Sequence, residues 1–284
     1  MPGTGHLEIA RAALEAGKHV ICEKPTALNA HEARQMLDAS RAHPRQIAII
    51  DHELRFLPSF HAARERVRNL GGIRYVEARY SSPNRGDRTR AWNWWSDASQ
   101  GGGVWGAVGS HFVDAMRYLF NQINGDIDAV QATMETIVKQ RSDREVTSDD
   151  FAAAHLRLRN GAIAAMTFSA VASGPDEPST ITIHGENGAL KLAGEELLFA
   201  KAKESWTRVA GDDLTQRPGN SPGGAFGTGT HYFALALKSA IEDDDKNALA
   251  IAATFDDGLA QQRVLDAARE SSAKNGCWID IRGR

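Results

Sequence analysis

The chain has 284 residues, 42% of them apolar and 24% charged, close to the averages of globular proteins, so wholesale disorder is excluded. Thirty-three Lys and Arg against 36 Asp and Glu leave a net charge of −3; without a basic surplus to neutralise a phosphate backbone, a nucleic-acid partner is disfavoured. The two cysteines, Cys22 and Cys277, form no CxxC pair and no framework, which predicts a reducing, cytoplasmic compartment.

The first ten residues have neither a cationic nor an apolar stretch and do not read as a signal peptide. Apolar runs such as 248–255 fall far short of the ~18 residues a membrane helix needs. A first helix is predicted from His6 to Ala16, with Leu7, Ala10 and Leu14 on one face and Gly17 as its left-handed stop. The short β-branched run 18–22 predicts a strand that ends at Glu23-Lys24-Pro25. Asn29, with Glu32 three residues on, predicts the start of a helix to about Arg41. Residues 47–50 are apolar without alternation and predict a strand buried on both faces. Strand, helix, strand with short links is one right-handed βαβ unit. Pro58 opens a third predicted helix, closed by Gly71-Gly72.

Beyond residue 72 the pattern changes. A strand is expected over 73–80, then a polar loop with Trp92, Trp94 and Trp95, then a helix from Gly101-Gly102-Gly103 to Leu119. Strands are expected over 129–138, 151–158, 162–171, 180–184 and 189–192, with Asn160-Gly161 as a hairpin turn. Residues 211–229, rich in Pro, Gly and Ser, are expected to be a loop. Helices over 231–242 and 249–274 and a strand over 277–281 complete the chain.

Several of these motifs stand together in order. Ala16-Gly17-Lys18-His19-Val20 runs into Glu23-Lys24-Pro25, followed by Arg55-Phe56-Leu57-Pro58, by the glycine run with Gly109-Ser110-His111, and by Asn160-Gly161-Ala162. Gly185 to Leu190 and Leu265-Asp266-Ala267-Ala268-Arg269-Glu270-Ser271 close the series. Over essentially its whole length the chain resembles the Gfo/Idh/MocA oxidoreductases, the glucose–fructose oxidoreductase and inositol dehydrogenase family. The resemblance implies an α+β, two-domain fold: a partial Rossmann-like parallel α/β piece over 1–57, then, over 58–284, a larger and mostly antiparallel open-faced sheet backed by helices. The last helix is expected to pack back on the first domain. NAD or NADP is implied as cofactor, a sugar or polyol as substrate, and a homodimer or dimer of dimers as the assembly.

Within that resemblance Lys24 is the first catalytic candidate. It lies just past a parallel strand, where ligands of open α/β sheets sit, and its cation can lower a hydroxyl's pKa or relay its proton. Its alternative role is a surface ion pair with Glu23. Pro25 follows a peptide that is often cis in this family. His6, Glu23, Lys24 and Pro25 are the expected cofactor-binding residues. His111 is the second catalytic candidate, as acid or base. The family pattern has an aspartate four residues before it; here that position is Ala107, which can neither orient an imidazole nor share its proton. A helical histidine hydrogen-bonded between the domains is the alternative. Asp114 is a further source of electrostatic support, although the family keeps an aspartate there for structure.

Asp51-His52-Glu53-Leu54-Arg55 follows the second strand, so its side chains are expected at the ligand-facing edge. His52 and Arg55, the latter through bidentate bonds, are expected to bind substrate. Trp94 and Trp95 are expected either to stack on a sugar ring or to plug the domain junction.

A strand, a G-x-G-x-x-G turn and a helix should open such a domain, and the sequence contains no such segment. Gly3-Thr4-Gly5 has no strand before it, and Gly227-Thr228-Gly229 has Tyr232 at its third position. Pro2 and His6 match family residues that follow a strand ending before Met1, so the chain is expected to start inside the Rossmann domain, lacking at least two βα units. A non-catalytic sugar-binding or oligomerisation protein is therefore the competing reading. Metal-dependent isomerisation finds no support in the spacing of His6, His52, His111 and His231, and no metal site is expected.

Overall fold

The computed structural model describes residues 3–123, 125–209 and 224–283. Helix α1 (His6–Glu15) buries His6, Ala10 and Leu14. Gly17 follows at φ 72°, the left-handed conformation its lack of a Cβ allows. Strand β1 (Val20–Cys22) leads to helix α2 (Ala30–Ala42), capped by Asn29 accepting from the Glu32 N–H. Strand β2 (Ala48–Ile50) pairs parallel with β1, Val20 opposite Ala48 and Cys22 opposite Ile50. The expected βαβ unit is present. Both faces of β2 are covered: Ile50 packs among Leu14, Met36 and Phe255, and Ile49 against Phe233 and Ala252.

A 3-10 turn (Glu53–Phe56) and helix α3 (Pro58–Arg66) lead, by a further 3-10 turn, into strand β3 (Ile73–Ser81). After the Trp-rich loop, Trp105–Gly109 form a π-type turn that runs into helix α4 (Ser110–Phe120). Strand β4 (Ile127–Glu135) and a small hairpin, β5 (Gln140–Arg141) with β6 (Arg144–Glu145), come next. Then follow β7 (Phe151–Leu158), β8 (Ile163–Ser169), β9 (Thr180–Gly185), β10 (Gly188–Ala193), β11 (Glu196–Lys201) and β12 (Thr207–Arg208). With β14 (Ile279–Asp280) from the end of the chain, the large sheet has the order β12-β11-β10-β9-β3-β8-β7-β4-β14 and is antiparallel except where β3 pairs parallel with β8. Alternating burial along β7, exposed at His155 and Arg157 and buried at Ala154, Leu156 and Leu158, leaves one face open and lays the other on α4 and the last helix of the chain.

Three expectations need correction. Residues 211–223 lie outside the described residues, but helix α5 (Gly224–Glu242) already contains Gly227-Thr228-Gly229, which were assigned to a loop. The single helix expected over 249–274 is divided: strand β13 (Ala253–Thr254) pairs antiparallel with β2, and only then does helix α6 (Phe255–Ala273) begin. A capping box explains the break, with the Thr254 side chain on the Asp257 N–H and the Asp257 carboxylate on the Thr254 N–H. β11 and β12, placed in no element beforehand, extend the sheet to its far edge. The last strand, β14 (Ile279–Asp280), pairs with β4.

The interior has two main apolar clusters. One centres on Trp105, Phe112, Phe168 and Met116, between the large sheet and its helices. The other gathers α1, β1, α2 and β2 but also takes Ala253, Phe255 and Leu259 from the end of the chain. Helix α6 thus contributes to both. No helix among the described residues is long and apolar enough to cross a membrane.

Candidate active site

The carboxyl ends of β1 and β2 point the same way because the strands are parallel, and both run out into polar residues. Past β1, the Lys24–Pro25 peptide is cis, as the family resemblance implied. His6 reaches up from α1 to hold this turn, its Nδ1 lying 3.1 Å from Pro25 O and 3.3 Å from Thr26 O. His6 is therefore a buried anchor of the turn rather than an open binding surface. Glu23 is exposed and accepts from the Lys24 backbone N–H at 3.3 Å.

The Lys24 side chain crosses to the second cluster. Its Nζ donates to Ala107 O at 2.9 Å, a carbonyl in the π-type turn just before α4. Such insertions recur at functional sites because they redirect the backbone. The glycine run makes room for this turn. Gly101 and Gly103 have φ 82° and 111°, and a Cβ on Gly102 would lie 2.8 Å from Asp97 O. The Asp149 carboxylate accepts from the Trp105 N–H at 2.7 Å and fixes the entry to the segment.

His111, one turn after Ala107, is 4% exposed. Its ring meets His52 edge-on at 5.7 Å between centroids and Phe226 of α5 at 4.8 Å. Its Nδ1 stands 3.5 Å from Oε2 of Glu53. Burial, with Lys24 and His52 nearby, holds His111 well below the usual histidine range, so the ring is neutral near pH 7. His52 is also lowered, first by burial. Its Nε2 lies 2.8 Å from the Gln261 amide nitrogen, which donates as well to Ser110 O at 2.7 Å. An amide nitrogen only donates, so His52 Nε2 accepts and its proton resides on Nδ1. His52 is packed behind His111 and 2% exposed.

Two carboxyl groups here are displaced from their ordinary range. Burial, reinforced by Asp51, pushes Glu53 up to about 8; burial and Glu23 push Asp51 up to about 6. Displaced acids beside a buried histidine and a lysine are the electrostatic signature of a functional site.

Arg55 has a different environment from the one expected. Its Nε and Nη2 bind both oxygens of Asp114 at 2.8 and 2.6 Å, and Nη2 also lies 3.3 Å from Asp257. At 6% exposed, with its fork occupied, the guanidinium joins α4 and α6 to the segment after β2 and offers substrate no free donor pair. Asp114 is correspondingly a structural partner.

Trp94 and Trp95 lie on the long loop that precedes the π-type turn. Trp95 is covered by the Arg85 guanidinium at 4.0 Å and lines a cavity of about 300 Å3 with Tyr80, Asn84, Arg90 and Val108. Val108 follows Ala107, so the cavity opens beside the π-type turn. A second cavity, about 600 Å3, shares Tyr80 and is lined by Glu177, Arg208 and Phe226, the same Phe226 that covers His111.

Sequence reasoning placed Glu53 only generally at the ligand edge and did not anticipate Gln261. For Gln261 there is no local signal, since its partners lie 209 and 151 residues away. For Asp257, the Thr-x-x-Asp capping pattern at 254–257 was available.

Residues 1–50 match the family model described as an oxidoreductase family with an NAD-binding Rossmann fold, and residues 60–191 match the GFO/IDH/MocA C-terminal domain. Glucose-fructose oxidoreductase domain-containing protein 2 of Xenopus tropicalis is 30% identical over 293 aligned positions, covering 96% of this chain and 74% of the relative. Among solved structures, an oxidoreductase domain protein from Kribbella flavida superposes with TM-score 0.83 at 29% identity, over 99% of this chain and 78% of its own. A levoglucosan dehydrogenase in complex with NADH and levoglucosan gives 0.84 at 26%, over 100% and 80%.

Proposed function

Because the chain belongs to the GFO/IDH/MocA oxidoreductase family, we propose that it serves a nicotinamide-dependent dehydrogenase, using NAD or NADP, that acts on a sugar, polyol or related hydroxy compound. The observation that carries this reading is the bond from Lys24 Nζ to Ala107 O. It unites residues 83 apart in sequence and sets the cation beside the segment that bears His111.

The residues fit the nicotinamide end of such a cofactor. Glu23, Lys24 and Pro25 border the carboxyl end of β1, the edge where ligands of open α/β sheets bind, and Asp51 past β2 keeps a buried oxygen without a hydrogen-bond partner. When bound, the nicotinamide ring supplies the hydride acceptor or donor. Lys24 offers its ammonium to the substrate hydroxyl, lowering the pKa of that hydroxyl by favouring the developing alkoxide. His111, neutral because it is buried beside Lys24, exchanges a proton with the substrate hydroxyl as acid or base. Tyr80 and Trp95, at the mouth of the cavity beside Val108, provide flat apolar faces for a sugar ring. Cytoplasmic operation fits the two free cysteines, and the exposed Tyr75 and Trp206 suit a homodimer or dimer of dimers.

One observation favours a second reading, a non-catalytic sugar-binding protein: Ala107 gives His111 no carboxylate. Titration with NADH and NADPH, followed by tryptophan fluorescence, separates the two. Saturable micromolar binding with oxidation of a sugar or polyol supports the dehydrogenase. Sugar binding by a folded chain that takes up neither nucleotide supports the alternative.

A further inference from the structure

Glu53 and His111 meet inside the protein with unmet hydrogen-bonding capacity on both sides. Glu53 Oε2 and His111 Nδ1 are each buried without a hydrogen-bond partner, and they face each other at 3.5 Å. Orphaned buried polar atoms are costly and uncommon, and two that face one another are a few tenths of an ångström from a hydrogen bond. Bonds of this kind are often long before ligand binds and tighten in the complex. Glu53 is held from behind: its carbonyl lies against α5 at Gly229, where a Cβ would stand 2.7 Å from Glu53 O. Only a glycine lets the helix approach so closely, and Phe226, one turn earlier, closes the other side of the His111 ring.

We propose that Glu53 is the positioning residue for His111, its carboxyl group determining which ring nitrogen carries the proton and so leaving Nε2 for the substrate hydroxyl. The inference deepens the dehydrogenase reading and rests on it for that last step. It also replaces, from a different element, the carboxylate that Ala107 does not supply.

The two protonation states have opposite consequences. While Glu53 is protonated, its O–H donates to Nδ1, and His111 keeps its proton on Nε2, poised as a donor. When Glu53 loses that proton to solvent, the carboxylate accepts from Nδ1–H. The ring proton then resides on Nδ1, and Nε2 is a free base. The charged and titratable groups around the pair are Glu23 and Lys24 from the turn after β1, and Asp51, His52 and Arg55 from the segment after β2. Asp114 of α4 and Asp257 of α6 are neutralised against Arg55; α5 presents Phe226 and Gly229, which carry no charge.

The test is the ring-nitrogen NMR spectrum of the 284-residue chain labelled at histidine, titrated from pH 6 to 9.5, with His111→Gln to assign the signal. The expected result is an exchange of the His111 tautomer from Nε2–H to Nδ1–H as the pH rises. In Glu53→Gln that exchange is lost; in Asp51→Asn it persists with a displaced midpoint. No tautomer change in the unsubstituted chain overturns the proposal, even if Glu53→Gln fails to fold. An unaltered change in a folded Glu53→Gln protein overturns it equally. The readout needs neither cofactor nor turnover, so its failure is distinct from failure of the dehydrogenase reading.

Discussion

Arg55 grips Asp114 with two hydrogen bonds, 2.6 and 2.8 Å long, between side chains 8% and 2% exposed. With Asp257 3.3 Å away, the guanidinium is neutralised from two helices at once. Removing one partner of such a buried pair leaves an uncompensated charge, which costs about 3–5 kcal/mol. Because Asp257 still faces the guanidinium, Asp114→Ala should lower stability by less than that, about 1.5–3 kcal/mol for the lost charged hydrogen bonds, in urea unfolding, whereas Arg55→Met with Asp114→Leu should recover much of the loss. A stability change below about 1 kcal/mol in the single variant would show the pair to be solvated.

Asp257 predicts an acid limb. Burial raises its carboxyl, but the charge of Arg55, the Thr254 N–H and Arg117 outweigh burial and hold it at about 2. A carboxylate depressed in the folded state contributes stability that is present above its unfolded value, near 4, and is lost as pH falls toward 2. Asp257→Asn should flatten this part of the unfolding free energy against pH, measured between pH 5 and 2.

Glu53 predicts a limb of opposite sign. Its carboxyl is raised by burial to about 8, so the folded chain binds a proton that the unfolded chain releases near pH 4.5. Stability from this group is complete below that pH and declines as pH rises through 8. Thermal unfolding temperatures should fall between about pH 5 and 8 and level off above, and Glu53→Gln should remove part of that fall.

Lys24→Met keeps the length of the side chain but removes its cation. On the dehydrogenase reading, kcat at saturating nucleotide should drop by about 10²–10⁴-fold, the range of a positioned proton-transfer group, with substrate KM changed far less. Turnover unchanged at saturating cofactor would remove Lys24 from the chemistry.

Gly102→Ala tests the basis of the glycine run. The added Cβ would meet the Trp95 carbonyl and lie 2.8 Å from Asp97 O, and backbone atoms cannot rotate away. A loss of about 1–3 kcal/mol is expected, read as a lower urea midpoint, with the π-type turn and the Lys24 contact displaced.

How much of this was legible follows from how far apart the interacting residues are. Asn160-Gly161 between two apolar runs specified the β7–β8 hairpin, and Asn29 with Glu32 specified the start of α2, because turns and caps are satisfied by backbone groups a few residues away. The parallel β1–β2 pair was legible from the order of motifs, whereas the cis Lys24–Pro25 bond was implied by the family resemblance alone. Strand β13 was not. Two residues, Ala253 and Thr254, are too short for any periodicity and become a strand only by pairing with Ile50 and Ile49. The fates of Arg55 and Glu53 were hidden for the same reason. Five adjacent residues after β2 share one ligand-facing edge in sequence, yet Asp114 and Asp257 draw Arg55 inward while Glu53 is left against His111. The sequence by itself determined most of the local elements, their order and the family. Only the tertiary structure decided which charges are spent on one another and which remain available for chemistry, because burial and long-range pairing, not residue type, set the energy of an ionisable group.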